Sequence, residues 1–454
     1  MLTNYFKVER EAIALRLRSW LPKGRLFRSA VLLSGSVLLT QVVGVCMAPI
    51  YAHLYAPSDY GVFGQFYSIV STLLTVGCFC YELAIPNAQD DEEALELVGL
   101  SVVCVAVLAL ASLVWALVIV CGRARDPGAS HRLFFLLVPL GVLLSGLYRV
   151  AVYWALRVRA LKAIAGTSVK QMVGGQVVNL GLGLVHPSPL GLVLGQIVSS
   201  SAGVGSLSRN TNLLSLLKTH RCSVFRMDRL CHVAKKHSQN ALIQCPSTLL
   251  NSLGMYLPGM LMVPYFGAGF AGQFNMAQRI GRIPVGLVGN SASQVFFSEA
   301  ASIARSDPGR LRPLFNSISR KLALSSLLVM IPCLFAPLVV PIVFGRRWQE
   351  AGVLTMWLGF GLALQLCVSP LSNIPNVVRR LKGQLVIDGI RAGLVFAAIF
   401  IPCRFGLGGK VAVQCYSGVM VANYIACYFL YRHQIIVHSR EVVQNASPKR
   451  RVLV

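Results

Sequence analysis

Twelve long apolar runs govern what this 454-residue chain can fold into. They fall near 29–55, 60–86, 95–121, 133–156, 167–186 and 189–207, then near 239–265, 269–298, 321–345, 351–376, 383–403 and 408–431. A helix needs roughly 20 apolar residues to cross a bilayer. Many runs of that length make this a polytopic membrane protein. Composition agrees: 55% of residues are hydrophobic and 13% charged, against about 25% charged in soluble domains. Several runs contain proline (Pro49, Pro258, Pro284, Pro332), which membrane helices tolerate when neighbours satisfy the freed carbonyls.

The formal charge is +26, and its location says more than its size. With the N-terminus placed in the cytoplasm, the inside segments hold 31 Lys and Arg and the outside loops hold 7. That asymmetry predicts both termini inside and an even number of spans. Anionic headgroups can neutralise part of the excess, so nucleic-acid binding is not needed to explain it. The domains expected are a basic amphipathic arm (1–28), a first six-helix bundle (29–207), a basic linker (208–238), a second bundle (239–431) and a basic tail (432–454). The arm has no apolar core or small-residue cleavage pattern of a signal peptide. It reads equally as a solvated arm and as an interfacial helix. Asp90, Asp91, Glu92 and Glu93 precede the third run and suit a helix N-terminus.

One hexapeptide is written twice. GVFGQF (61–66) follows SVLLT (36–40), and GFAGQF (269–274) follows STLLN (247–251). Six runs separate the copies, so both halves enter the membrane in the same direction. Such halves are related by an axis along the membrane normal, with substrate at the seam between them. The predicted architecture is all-α: about 12 transmembrane helices as two like-oriented six-helix bundles around a central cavity. Gly61, Gly64, Gly269 and Gly272 would allow tight turns and close helix approach. Gln65 and Gln273 could bond across helices.

The ordered motifs LSGSVLLTQ (33–41), YAPSDYGVFGQFYSIV (55–70), YELAIP (81–86), YWALRVRALKAIA (153–165), GLVLGQI (191–197), PSTLLNSL (246–253), FGAGFAGQFNMAQRIGRIPVGLVG (266–289), FFSEAA (296–301), FG..W..AG (344–352) and SPLS (369–372) resemble the polysaccharide flippase family. That family belongs to the multidrug/oligosaccharidyl-lipid/polysaccharide exporter superfamily. The resemblance spans roughly 30–435. It implies a bacterial inner-membrane protein that moves polyprenyl-diphosphate-linked oligosaccharides for surface polysaccharide biosynthesis. Membrane lipids, a polysaccharide polymerase and glycosyltransferases are the implied partners. A multidrug or peptidoglycan-precursor exporter of the same superfamily is the first alternative. A membrane polymerase or ligase is the second, but no outside loop carries a catalytic set.

Charges inside spans are costly and therefore suspect. Arg279 and Arg282 lie three residues apart on one helical face. Arginine forms bidentate pairs with phosphate oxygens, so these two and Arg149 are the candidate substrate-binding residues. Glu82 is the candidate ion-pair or coupling residue, with Arg149 as a partner. Asp388 and Arg391 read as a local structural pair. Gln41, Asn251 and Asn275 are candidate polar residues lining the cavity, or glue between helices. No phosphate loop, HExxH or GxSxG appears, so no enzyme is expected. The thirteen cysteines read as packing residues; neither a metal site nor a cofactor is expected.

Overall fold

The computed structural model describes residues 25–122, 129–219, 224–306, 308–378, 380 and 382–446. The arm expected at 1–28 lies almost wholly outside the described residues, as does the tail beyond 446. Among the described residues the chain is helical, with no strand. The first half runs through α1 (Arg25–Leu54), α2 (Pro57–Val76), α3 (Asp91–Gly122), α4 (Ala129–Arg157), α5 (Leu161–Val185) and α6 (Pro189–Ser201, extended by Val204–Asn210). The second half begins with a 62-residue rod, Cys245–Ser306, broken at Gly267 where φ is 83°. Its two parts are α7 (245–266) and α8 (268–306). Then follow α9 (Leu311–Phe344), α10 (Gln349–Val368), α11 (Lys382–Arg404) and α12 (Gly408–Ala446). Successive helices are antiparallel, so both described ends share one face, called here the terminal face. The opposite one is the far face.

Local chemistry sets the breaks. Pro57 begins α2, where its missing N–H costs nothing, and the Asp59 carboxylate accepts from the Ala56 N–H at 2.9 Å. Only glycine adopts φ 83° without strain, so Gly267 is where the long rod turns over. Gly345, at φ 93°, does the same between α9 and α10.

Large apolar side chains stay exposed in stripes. Leu324, Leu328, Ile331, Phe335, Leu338 and Ile342 of α9 are all exposed, at steps of three and four that define one helical face. Val107, Leu110, Val114 and Val118 do the same on α3. An apolar surface of this extent needs lipid, not water, and the chain is a multi-pass membrane protein. Among the described residues, seven helices are long and apolar enough to span by themselves, and α2 with its bent extension Tyr81–Asn87 makes an eighth. The other four of the twelve are α1, α5, α7 and α8. The described apolar part of α1 is only Leu38–Leu54. The other three carry the polar side chains Gln171, Gln176 and Asn179, Asn251 and Ser252, and Gln273, Asn275, Gln278, Arg279 and Arg282. Helices shielded by neighbours need less apolar surface than helices bathed in lipid.

The two copies of the repeated hexapeptide meet each other. Helix α2 packs along α7 and α8 more extensively than any other pair of elements. A methyl group on Gly61 would strike the Ala268 carbonyl, one on Gly64 the Asn275 amide, and one on Gly272 the Pro57 carbonyl. The backbones therefore touch where the sequence repeats, as small residues allow between membrane helices. Further along, Gln65 Nε2 lies 3.4 Å from the Met260 carbonyl. That carbonyl has lost its helical donor because residue 264 is proline. The Thr75 and Ser252 hydroxyls close the row at 2.9 Å.

Replacing Gly272 by alanine should force α2 and α8 apart, costing about 1–3 kcal/mol as overpacking does. Thermal unfolding of the purified protein in detergent is the measurement. Gly418→Ala, where no atom lies within 4 Å of the added methyl, should not lower the midpoint.

Candidate functional site

Beyond α2, Phe79 and Cys80 adopt left-handed φ of 48° and 60° and turn the chain into the 3-10 helix Tyr81–Asn87. That turn drives Glu82 inward, where it is fully buried. Arg149 of α4 comes within 2.8 Å of its Oε1 and donates to the Leu74 carbonyl at 3.1 Å. Arg149 thus lies about 12 Å inside the terminal end of α4, eight residues before Arg157. A carboxylate already balances its charge.

The acidic run at 90–93 does more than cap a helix. Asp90 accepts from the Glu93 N–H at 2.7 Å, and Glu93 accepts from the Gln89 N–H at 3.0 Å, a reciprocal cap. The run also anchors the linker. Its helix Met227–Lys236 buries Leu230 and Val233 and places Arg229 on Glu92 and Glu96. Lys236 and His237 reach Glu93 at 2.7 and 2.8 Å. The basic linker therefore docks on the first bundle at the terminal face.

In the second bundle, Asp388 and Arg391 of α11 pair at 3.3 Å and both are buried. Arg391 also donates to Asn251 of α7, at its carbonyl and its Oδ1, both at 2.8 Å. A Cβ at residue 254 would collide with the guanidinium, so glycine is required there. Asn251 accordingly braces α7 against α11. Asn275 spends its amide on the Ala271 carbonyl at 2.8 Å within the α2–α8 crossing. Gln41 of α1 reaches across the seam toward Gly286 of α8.

Arg279 and Arg282 part company. Arg279 stands about 16 Å below the far end of α8, near the middle of a ~30 Å hydrocarbon core. It is half-buried and lies within electrostatic reach of Tyr51 of α1 and Tyr60 of α2. Among the described residues, no carboxylate lies within 4 Å of it. Arg282 turns into the second bundle. It lines a small pocket with Gln278, Gln365, Tyr416 and Ser417. That pocket, about 20 Å³, has room for about one water. The Arg282 Nε is buried there without a hydrogen-bond partner. No contact among the described residues joins Arg149 to either.

The seam is shut at the far face. Tyr51, Tyr55 and Tyr60 are buried with Trp348 and Phe274 in one apolar cluster that joins the two halves. Trp348 Nε1 donates to the Ala52 carbonyl at 2.9 Å, and Arg347 donates to the same oxygen. Sequence reasoning did not single out Arg347 and Trp348; the signal for them was the FG..W..AG motif at 344–352.

Two like-oriented six-helix bundles, closed at one face and with a mid-depth cation at their seam, define a multi-pass protein with the fold of the multidrug and lipid flippase transporters. Solved structures share it. A multidrug resistance MATE family transporter of the MOP superfamily in its inward-facing conformation matches with TM-score 0.64 at 15% identity, over 91% of this chain and 99% of that one. Lipid II flippase MurJ, inward closed, matches with TM-score 0.66 at 13% identity, over 90% of each chain. An outward-facing MATE family structure matches with TM-score 0.50 at 15% identity, over 91% of this chain and 97% of that one. The sequence matches the family described as "Polysaccharide biosynthesis protein" over residues 50–353. The chain belongs to that family, in keeping with the resemblance read from its motifs. No curated protein matches it by sequence.

Glu82→Gln should destabilise the fold by about 1–3 kcal/mol, less than the ~3–5 of a fully sealed pair, because the Arg149 side chain is 34% exposed. Combining it with Arg149→Met should cost less than the sum of the single changes. Strict additivity in thermal unfolding would show that the pair contributes nothing.

Proposed function

We propose that this protein moves polyprenyl-diphosphate-linked oligosaccharide repeat units across the bacterial inner membrane by alternating access. The observation that carries this is Arg279. A cation in the middle of the membrane, with no carboxylate in ion-pair range among the described residues, is expensive, and an anionic ligand would compensate it. The family is one of polysaccharide biosynthesis, whose lipid-linked intermediates carry phosphate.

Physical chemistry gives the steps. A diphosphate and its sugars cannot cross hydrocarbon unaided, because desolvating the charges costs several kcal/mol each. The seam offers α1, α7 and α8, with their amide and guanidinium groups, as a polar path. The polyprenyl tail stays in lipid while the head group enters from the terminal face. Arg279 offers the phosphate a forked donor, and the phenols of Tyr51 and Tyr60 stand beside it. Rocking of the bundles then opens the far face, where α2 and α8 touch.

The closed far face supports reading this state as one loaded from the terminal side. So does the better match to inward structures, 0.64 and 0.66 against 0.50. The asymmetry of Lys and Arg supports a cytoplasmic terminal face. A cationic drug as substrate is less well supported. It would need a free carboxylate in the seam, and the two buried carboxylates inside the helical bundles, Glu82 and Asp388, each face an arginine.

The test is reconstitution in vesicles with lipid-linked repeat units in one leaflet. Arg279→Gln removes a charge-assisted contact worth about 1.5–3 kcal/mol, so transfer should fall about 10- to 100-fold. Arg279→Lys should retain part of it. Full transfer by a folded Arg279→Glu protein would sink the assignment.

A further inference from the structure

Beside the aromatic cluster and the α2–α8 crossing, one carbonyl ties the two bundles together at the closed far face. In α1 the Ala52 oxygen should accept from the N–H of residue 56. That N–H is instead taken by the Asp59 carboxylate, so Ala52 is left among the unpaired carbonyls of a helix end. The second bundle fills the gap. Arg347 and Trp348 both donate to Ala52, and Trp348 also packs edge-on against Tyr60, ring centres 5.2 Å apart.

The loop carrying both donors is mounted on α8 through the repeated hexapeptide. Gln273 Nε2 donates to the Arg347 carbonyl at 2.6 Å, and Gln273 Oε1 accepts from the Ala351 N–H at 2.9 Å. One amide thus clamps both sides of the 3-10 turn Arg346–Trp348. Gly345, at φ 93°, lets α9 turn sharply into that clamp. The loop moves with α8, the helix that carries Arg279.

Arg347 and Trp348 differ in what opening does to them. Trp348 is fully buried, and opening exposes it. Arg347 is exposed; among the described residues no carboxylate lies within 4 Å of it, and Asp59 is within its electrostatic reach. When the bundles part, its guanidinium loses a backbone oxygen and keeps its charge. A phosphate leaving Arg279 toward the far face passes it next, and the planar fork that met a carbonyl fits phosphate better.

We infer that the turn Arg346–Trp348 is a latch on the far face, and that Arg347 exchanges the Ala52 carbonyl for a phosphate of the departing lipid as the latch opens. Arg347 then acts as a positioning residue for release. The exchange gives the anion a way to open its own exit, because it supplies the acceptor that the guanidinium gives up. The phosphate half rests on the function proposed above; the latch half does not.

Hydrogen–deuterium exchange of the full-length protein in lipid nanodiscs tests both halves, with undecaprenyl diphosphate as the probe. Without probe, Arg347→Met, which cannot donate, should raise exchange in the segments 50–60 and 345–352 at least ~3-fold over the native protein. Arg347→Lys, which still donates to a carbonyl, should leave it near the native value. No increase in the methionine variant overturns the latch. With probe, the native protein should open the same segments, whereas Arg347→Lys, lacking the fork, should need about tenfold more probe. A lysine variant that responds like the native protein overturns the exchange. A native protein that does not respond overturns the phosphate half together with the proposed substrate, while the probe-free comparison still decides the latch. Unchanged exchange in the segment 95–105 confirms that each variant is folded.

Discussion

The whole arrangement depends on two backbones being allowed to touch. Helices α2 and α8 cross where Gly61, Gly64 and Gly272 meet Ala268, Asn275 and Pro57, and no larger side chain fits. Membrane helices gain little from hiding apolar surface, since lipid is as apolar as leucine. They associate through close packing and a few hydrogen bonds. The glycines give the first and Gln65 gives the second, on a carbonyl that Pro264 leaves without a donor. The joint between the halves is therefore narrow, polar in places and free of interlocking large side chains. It sits at the far face, where Pro57 opens α2 and Ala268 opens α8, and is built to part more than to stay glued.

Around this crossing the polar helices are gathered inward and the apolar ones pushed outward. The stripes on α3 and α9 face lipid, while α5, α7 and α8 fall short of the apolarity needed to span alone. Each buried charge of the bundles is matched locally: Glu82 by Arg149, and Asp388 by Arg391. Arg391 then spends its remaining donors on α7. Through this contact α7, which packs along α2, is braced to its own bundle, so movement between the halves does not become movement within one.

The fold was largely legible in the sequence because bilayer thickness sets a length that runs of apolar residues display directly. The family was legible in ordered motifs. The Glu82–Arg149 pair could be guessed because few charges lie in spans. Other features were not legible, for identifiable reasons. The spacing of Arg279 and Arg282 suggested one shared anion site, yet the 60° between them sends one to the seam and the other into the second bundle. The acidic run at 90–93 showed its capping role in its own spacing, but its linker partner lies more than 130 residues away. Gln65 and Gln273 bond to backbone carbonyls and an N–H, and backbone partners leave no trace in a sequence. The repeat itself was visible, but not that its copies touch.

Charge placement links the architecture to selectivity. If both bundles had kept free carboxylates at the seam, the path would attract cations and repel phosphate. Pairing each acid with an arginine removes that option and, because the partners are fixed by geometry, also removes those arginines from competition for ligand. The seam cations left outside those pairs among the described residues are Arg279 at mid-depth and Arg347 at the far rim, the latter within electrostatic reach of Asp59. Two separated cations bind an anion less tightly than one combined site, and that weakness favours movement. An anion held by both at once would sit in a deep well, whereas one met by them in turn faces two shallow wells and a lower barrier between them.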